Sequence, residues 1–218
     1  MRTIEVTLYK FDELSLSGKE NARDWYRSTI EPDFDHVIDD FVELAEIIGI
    51  EFDCTVVPLM NGKTRRKPKI YFSGFNSQGD GACFEGTYRY EENASEKIRE
   101  YAPMDTNLHK ITDQLTEIQK KYKGQIYAQV KHTGRYYHEH STDIDIGCDY
   151  LDLDEDGNEV TLDITDSDSD KVIDLLRDLM RWLYCRIDAE NDYQHSDEVI
   201  EESIRANDYE FTEDGKRA

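Results

Sequence analysis

Between Glu139 and Asp214, 26 residues are Asp or Glu and only 5 are Lys or Arg, so 76 residues carry 21 of the chain's 23 net negative charges. The plainer expectation for most of these carboxylates is a solvated face whose apolar neighbours turn inward. The other 142 residues hold 23 acids against 21 bases and are nearly neutral. Such an asymmetric field repels nucleic acid and anionic membrane and steers basic macromolecules into contact.

Despite this charge the chain is expected to fold, because 38% of its residues are apolar, 11% are aromatic, and the apolar positions are periodic. No Pro-, Gly- or Ser-rich linker interrupts the 218 residues. One domain over 1–218 is therefore expected, near-neutral over 1–138 and acidic over 139–218. The opening MRTIEVTLYK lacks the apolar stretch of a signal peptide, and no run of about 18 apolar residues appears anywhere, which points to a soluble cytoplasmic protein. Cys54, Cys83, Cys148 and Cys185 are widely spaced in apolar-patterned segments, as packed, reduced thiols would be.

Ile4, Val6 and Leu8 alternate with polar residues and predict a strand over Thr3 to Tyr9. Ser17 with Glu20 reads as a capping box for a helix carrying Ala22, Trp25 and Tyr26 and ending near Pro32. A second helix is predicted from Phe34 to Ile48, stopped by Gly49. Glu51 to Glu91 reads as antiparallel sheet with an Asn61-Gly62 turn. Helices follow over Ala94 to Tyr101 and Asn107 to Tyr122, then strands near Gln125 to His132, Thr142 to Leu153 and Val160 to Ile164. The run SDSD before Lys171 is read as the cap of a further helix, and Ser196 as the start of a shorter one. Strands and helices cluster without regular alternation, so the expected class is α+β, a mainly antiparallel sheet with helices packed on one side.

Within the acidic part, Asp166, Asp170, Asp174 and Asp178 recur every four residues, the last three on one helix face about 6 Å apart. Asp143 with Asp145, and Asp152 with Asp154, recur every two, about 6.6 Å apart on a strand. Both rows resemble alternate phosphates of a nucleic-acid strand, and a protein with basic grooves would accept them as substitutes. The plainer account is a solvated face opposite Ile144, Ile146, Leu151 and Leu153. The substitute-phosphate reading requires the carboxylates to gather on one exposed wall. A calcium loop competes for the same residues, with Asp152, Asp154, Asp156, Gly157 and Asp163 at its positions. Against it stand Glu159 where an apolar residue is usual, Asp for the final Glu, and strand-like flanks; a hairpin turning at Asp156-Gly157 explains the same residues.

Ser77 to Gly81, SQGDG, lacks the Gly-Lys-Ser/Thr of a phosphate loop, and Phe84 stands where a dinucleotide fingerprint needs glycine. Asp80 and Glu85 remain candidates for a metal or acid-base site. Lys63, Arg65, Arg66, Lys67 and Lys69 form a basic tongue just past the Asn61-Gly62 turn. With the overall charge at −23, self-association or an acidic patch on a partner ranks above direct nucleic-acid binding for that tongue. His138 and His140 flank Glu139 and are read as surface histidines on a strand.

Phe11 to Ser15, Ala22, Trp25-Tyr26, and Ser77 to Ala82 together resemble a group of uncharacterised proteins from bacteriophages and prophages. The likeness covers about the first 90 residues and implies an accessory phage protein working in a bacterial host's cytoplasm, without implying a cofactor. Joined to the charge, it suggests a non-enzymatic inhibitor of a host defence or nucleic-acid-processing protein, anti-CRISPR or anti-restriction in type, that presents Asp143, Asp145, Asp152, Asp154, Asp166, Asp170, Asp174 and Asp178 to a basic partner. Lys63, Arg65, Arg66, Lys67 and Asp80 are secondary contact candidates. Two other readings stand beside it: an antitoxin-like or structural interaction module acting through the neutral half, and a divalent-metal enzyme using Asp80, Glu85 and acids of 152–163.

Overall fold

The computed structural model describes residues 6–60, 62–153, 159–161 and 163–218, the side chains of 151–153 and 159–161 excepted. The fold is α+β, and every strand pair among the described residues is antiparallel. Strand β1 (Tyr9–Lys10) and a 3-10 turn lead into α1 (Leu16–Thr29) and α2 (Asp35–Ile48). Six strands follow: β2 (Ile50–Phe52), β3 (Cys54–Pro58), β4 (Thr64–Pro68), β5 (Ile70–Ser73), β6 (Gly81–Phe84) and β7 (Gly86–Arg89). Helices α3 (Ala94–Tyr101) and α4 (Thr106–Lys121) precede β8 (Ile126–His132), β9 (Thr142–Cys148), β10 (Leu151–Leu153) and β11 (Glu159–Thr161). The chain closes with α5 (Asp166–Gln194), α6 (Asp197–Ala206) and β12 (Glu210–Phe211).

These elements form two compact units, residues 1–34 with 187–218, and residues 35–186. No linker marks the division in sequence; one boundary falls inside the continuous helix α5. In the first unit β1 pairs with β12, and Phe11, Leu14, Ala22, Ile200, Ile204 and Phe211 form the core. Trp25 meets the rings of Tyr209 and Phe211 edge-on at 5.2 and 5.6 Å. Ser15, not Ser17, caps α1, accepting the Gly18 amide at 3.1 Å. Of the predicted strand, residues 3–5 lie outside the described residues, and the described part is strand only at Tyr9–Lys10. Val6 and Leu8 are exposed and pair with no strand among the described residues.

In the second unit the central sheet runs β2-β7-β8-β9. Its inner face buries Ile50, Tyr88, Ile126, Ala128, Val130 and Ile144. Helix α4 lies on this face: the buried Gln119 amide donates to the Ile126 carbonyl (2.8 Å) and Tyr88 hydroxyl (3.3 Å), while its oxygen accepts the Ile126 amide (3.1 Å). Helix α2 ends at Gly49, whose φ of +96° suits glycine alone at no steric cost. Phe41 of α2 packs against Phe52, Phe84 and Trp182.

The strands β2 to β7 are three long segments, each interrupted by one charged residue: Asp53, Lys69 and Glu85. At that point they exchange partners through a closed ring of backbone hydrogen bonds. The Asp53 amide donates to Glu85 (2.9 Å), Glu85 to Lys69 (2.9 Å) and Lys69 to Asp53 (2.8 Å). Three ribbons leave the ring: β2 with β7, β3 with β4, and β5 with β6. Gly86 is required beside it, since a Cβ there would lie 2.3 Å from the Glu51 carbonyl oxygen.

Candidate functional site

The carboxylate rows do not share one wall. Asp143 and Asp145 are exposed on edge strand β9, opposite Lys131 and Gln129, and alternate with the inward Ile144; they occupy the sheet face away from α4. The row on α5 belongs to the helical layer, because the Trp182 indole donates to Asp105 at the start of α4 (2.7 Å) and Asp168 reaches Lys121 and Tyr122 at its end. The expected single wall is therefore two surfaces separated by the sheet. Asp154 and Asp156 lie outside the described residues, and of Asp152 only the backbone pairing with Val160 is described.

On α5 the rungs differ. Asp166 and Asp170 are exposed and make no ion pair among the described residues. Asp174 stands 4.0 Å from Arg177 and Asp178 2.6 Å from Arg181, each a partner one helical turn on. A groove of about 420 Å³ beside them is lined by Glu117, Lys121, Lys171, Asp174, Leu175 and Asp178. The amino-terminal end of the row is thus the uncompensated one. Asp168, pointing inward between the rungs, is held below the usual carboxylate range by hydrogen bonding to Lys121, against the cost of burial.

Helix α5 also begins earlier than the SDSD run implies, because Thr165 Oγ1 accepts the Asp168 amide (3.2 Å) and so caps it from one position upstream of Asp166. The strand pair Leu151–Leu153 with Glu159–Thr161 gives the calcium-loop residues strand flanks where a helix-loop-helix site needs helices. Among the described residues no group of three or more His, Cys, Asp or Glu is placed to hold a metal ion.

Asp80 is an internal fastener of its loop. Its carboxylate accepts the Asn76 and Ser77 amides at 3.0 and 2.6 Å, and a side chain at Gly74 would strike it. Glu85 is engaged by Lys69 Nζ at 2.6 Å and approached by the Tyr71 hydroxyl at 3.5 Å. Both acid-base candidates are thus committed within the fold. His138 caps a 3-10 turn that contains His140, so the two do not share a strand; their rings stack at 5.4 Å. The Glu139 carboxylate between them is buried and bonded to Arg181 (3.0 Å).

Arg65, Arg66 and Lys67 of the basic run lie on strand β4, with Lys63 just before it and Lys69 just after. Val56 pairs with Arg66, Val57 with Arg65 and Thr55 with Lys67. Arg65, Arg66 and Lys67 are exposed and make no ion pair among the described residues, and Val56, Val57, Leu59 and Met60 are exposed beside them. The predicted helix α2 is itself acidic, which charge summed over long segments does not show: it carries Asp35, Asp39, Asp40, Glu43 and Glu46 with no Lys or Arg. The Tyr101 hydroxyl donates to Asp40 (2.6 Å) and Glu43 (3.2 Å), the first bond being the chief cause that raises its pKa.

Residues 34–197 match the sequence profile of a family described as a domain of unknown function, DUF8835. The match contains all of the second unit and leaves most of the first outside. No curated protein and no solved structure matches the chain. Of the segments on which the expected resemblance rested, Phe11, Leu14 and Ala22 are core, Ser15 is a cap and Asp80 fastens a loop, so those residues build the fold.

Proposed function

We propose, for a chain that belongs to the DUF8835 family of unknown function, a non-enzymatic binding role in which the exposed carboxylate row of α5 engages a basic, nucleic-acid-handling protein of a bacterial host. The observation that carries this reading is the row itself. Asp166, Asp170 and Asp174 are exposed at intervals of four residues, about 6 Å apart. The first two have no ion-pair partner among the described residues. The β9 acids, on the other side of the sheet, are not part of this contact. The phage-like segments support the setting: an accessory protein in the host cytoplasm, inhibiting a defence or nucleic-acid-processing protein stoichiometrically by standing in for phosphates.

The test compares capture from bacterial lysate by the wild-type chain and by Asp166→Lys/Asp170→Lys/Asp174→Lys. A basic nucleic-acid-handling protein should be retained by the wild type, released as salt is raised, and absent from the variant. Retention of the same protein by the variant at the same salt would remove the reading. Contact through the near-neutral half is a second reading, favoured by the exposed cations of β4.

A further inference from the structure

The β3–β4 ribbon leaves the three-strand ring as an arm exposed on both faces. An isolated two-stranded hairpin is marginal in water, and this one exposes Val56, Val57, Leu59 and Met60 beside Arg65, Arg66 and Lys67, which make no ion pair among the described residues. Alternation places Arg65 and Lys67 on one face with Val57, and Arg66 on the other. We infer that the arm is a self-association element: Arg65 and Lys67 dock on the Asp166, Asp170 and Asp174 row of α5 in a second copy of the chain.

Three observations carry this. The arm holds the densest cation run in a chain of net charge −23, and its Arg65 and Lys67 meet no carboxylate of their own chain among the described residues. The α5 row is the reciprocal case, two exposed carboxylates without a cation. Their spacings also match: side chains two apart on a strand repeat at about 6.7 Å, those four apart on a helix at about 6 Å. A groove of duplex nucleic acid would also admit a two-stranded ribbon. Its phosphates, however, would face a molecule of strongly negative net charge, whereas a second copy supplies both halves of the contact. Repulsion between two acidic bodies is screened beyond about 8 Å at physiological ionic strength. A two-fold pair closes both contacts at once.

The inference shares the α5 row with the proposed function but rests on the arm, so the two fail separately. Sedimentation equilibrium on the full chain should show reversible self-association in about 0.05 M salt, weakened roughly tenfold or more in about 0.5 M salt. Arg65→Glu/Lys67→Glu and Asp170→Lys/Asp174→Lys should each be monomeric with wild-type circular dichroism. Mixing these two variants should restore association, since each then supplies the charge the other lacks. The first variant should also keep any lysate partner held by α5. A wild-type chain that is monomeric throughout, association untouched by either variant, or failure of the mixture to reassociate would each overturn the inference. So would duplex DNA bound by the wild type and lost in Arg65→Glu/Lys67→Glu without self-association.

Discussion

Lys69 and Glu85 are joined twice: the Glu85 amide donates to the Lys69 carbonyl at 2.9 Å, and the Lys69 ammonium lies 2.6 Å from the Glu85 carboxylate. The side-chain bond holds the Lys69 pKa above its ordinary value, while partial desolvation works against it. Glu85→Gln should lower the urea midpoint without changing far-UV circular dichroism, because the backbone ring does not use the carboxylate. Since the lysine pKa is raised, the wild-type advantage should be full at neutral pH and lost as pH rises past the ordinary lysine range, about 10.4. An advantage that persists unchanged above that pH would show the pair to be immaterial.

Gln119 is wholly buried and satisfies both the amide and the carbonyl of Ile126 where β8 begins. Gln119→Leu keeps the volume but orphans both backbone groups, each worth about 1–3 kcal/mol when buried. The expected loss is about 2–4 kcal/mol, given some relaxation around the site. Equilibrium unfolding measures it, and a change under about 1 kcal/mol would mean the backbone finds other partners.

Asp168 couples the start of α5 to the end of α4 through Lys121 (2.9 Å) and the Tyr122 hydroxyl (3.0 Å). Its lowered pKa means the contribution is complete above the unfolded carboxylate value of about 3.9 and disappears as pH falls through the folded one. The stability difference between wild type and Asp168→Asn should be constant from about pH 5 to 7 and shrink below about pH 4. Urea titrations across that range would reveal it, and a difference that grows on acidification would contradict the assignment.

Burial, then the nearby Glu85 charge, pushes the Cys83 thiol up to about 12, whereas Cys185 is exposed on α5. A disulfide reagent at neutral pH should modify Cys185 rapidly and leave Cys83 intact until the protein unfolds. Peptide mapping after timed labelling decides it; early modification of Cys83 would mean the sheet opens on that timescale.

Local signals were readable where one residue sets the outcome. Gly49 ends α2, Ala94–Tyr101 is a helix over the predicted span, and Ser196 caps α6. Choices between equivalent neighbours were not readable: Ser15 and Ser17 are both plausible caps, and only Ser15 reaches the Gly18 amide. The apparent strand at Val6 and Leu8 had the right alternation, but neither residue pairs with a strand among the described residues. Least legible was the ring, because Asp53, Lys69 and Glu85 carry no turn chemistry and meet only through long-range pairing. The two carboxylate rows were individually legible, as strand and helix spacing. Their separation depended on which face of the sheet α4 covers, set by Gln119 and Tyr88 far away in sequence.

At the strand exchange every amide in the ring already has its acceptor within the ring. Sliding one ribbon by a single residue would therefore strand a donor in each of the other two, so a threading error in one place is felt in all three. The basic arm inherits its bearing from this mutual check: its aim is decided by residues that never touch whatever it meets.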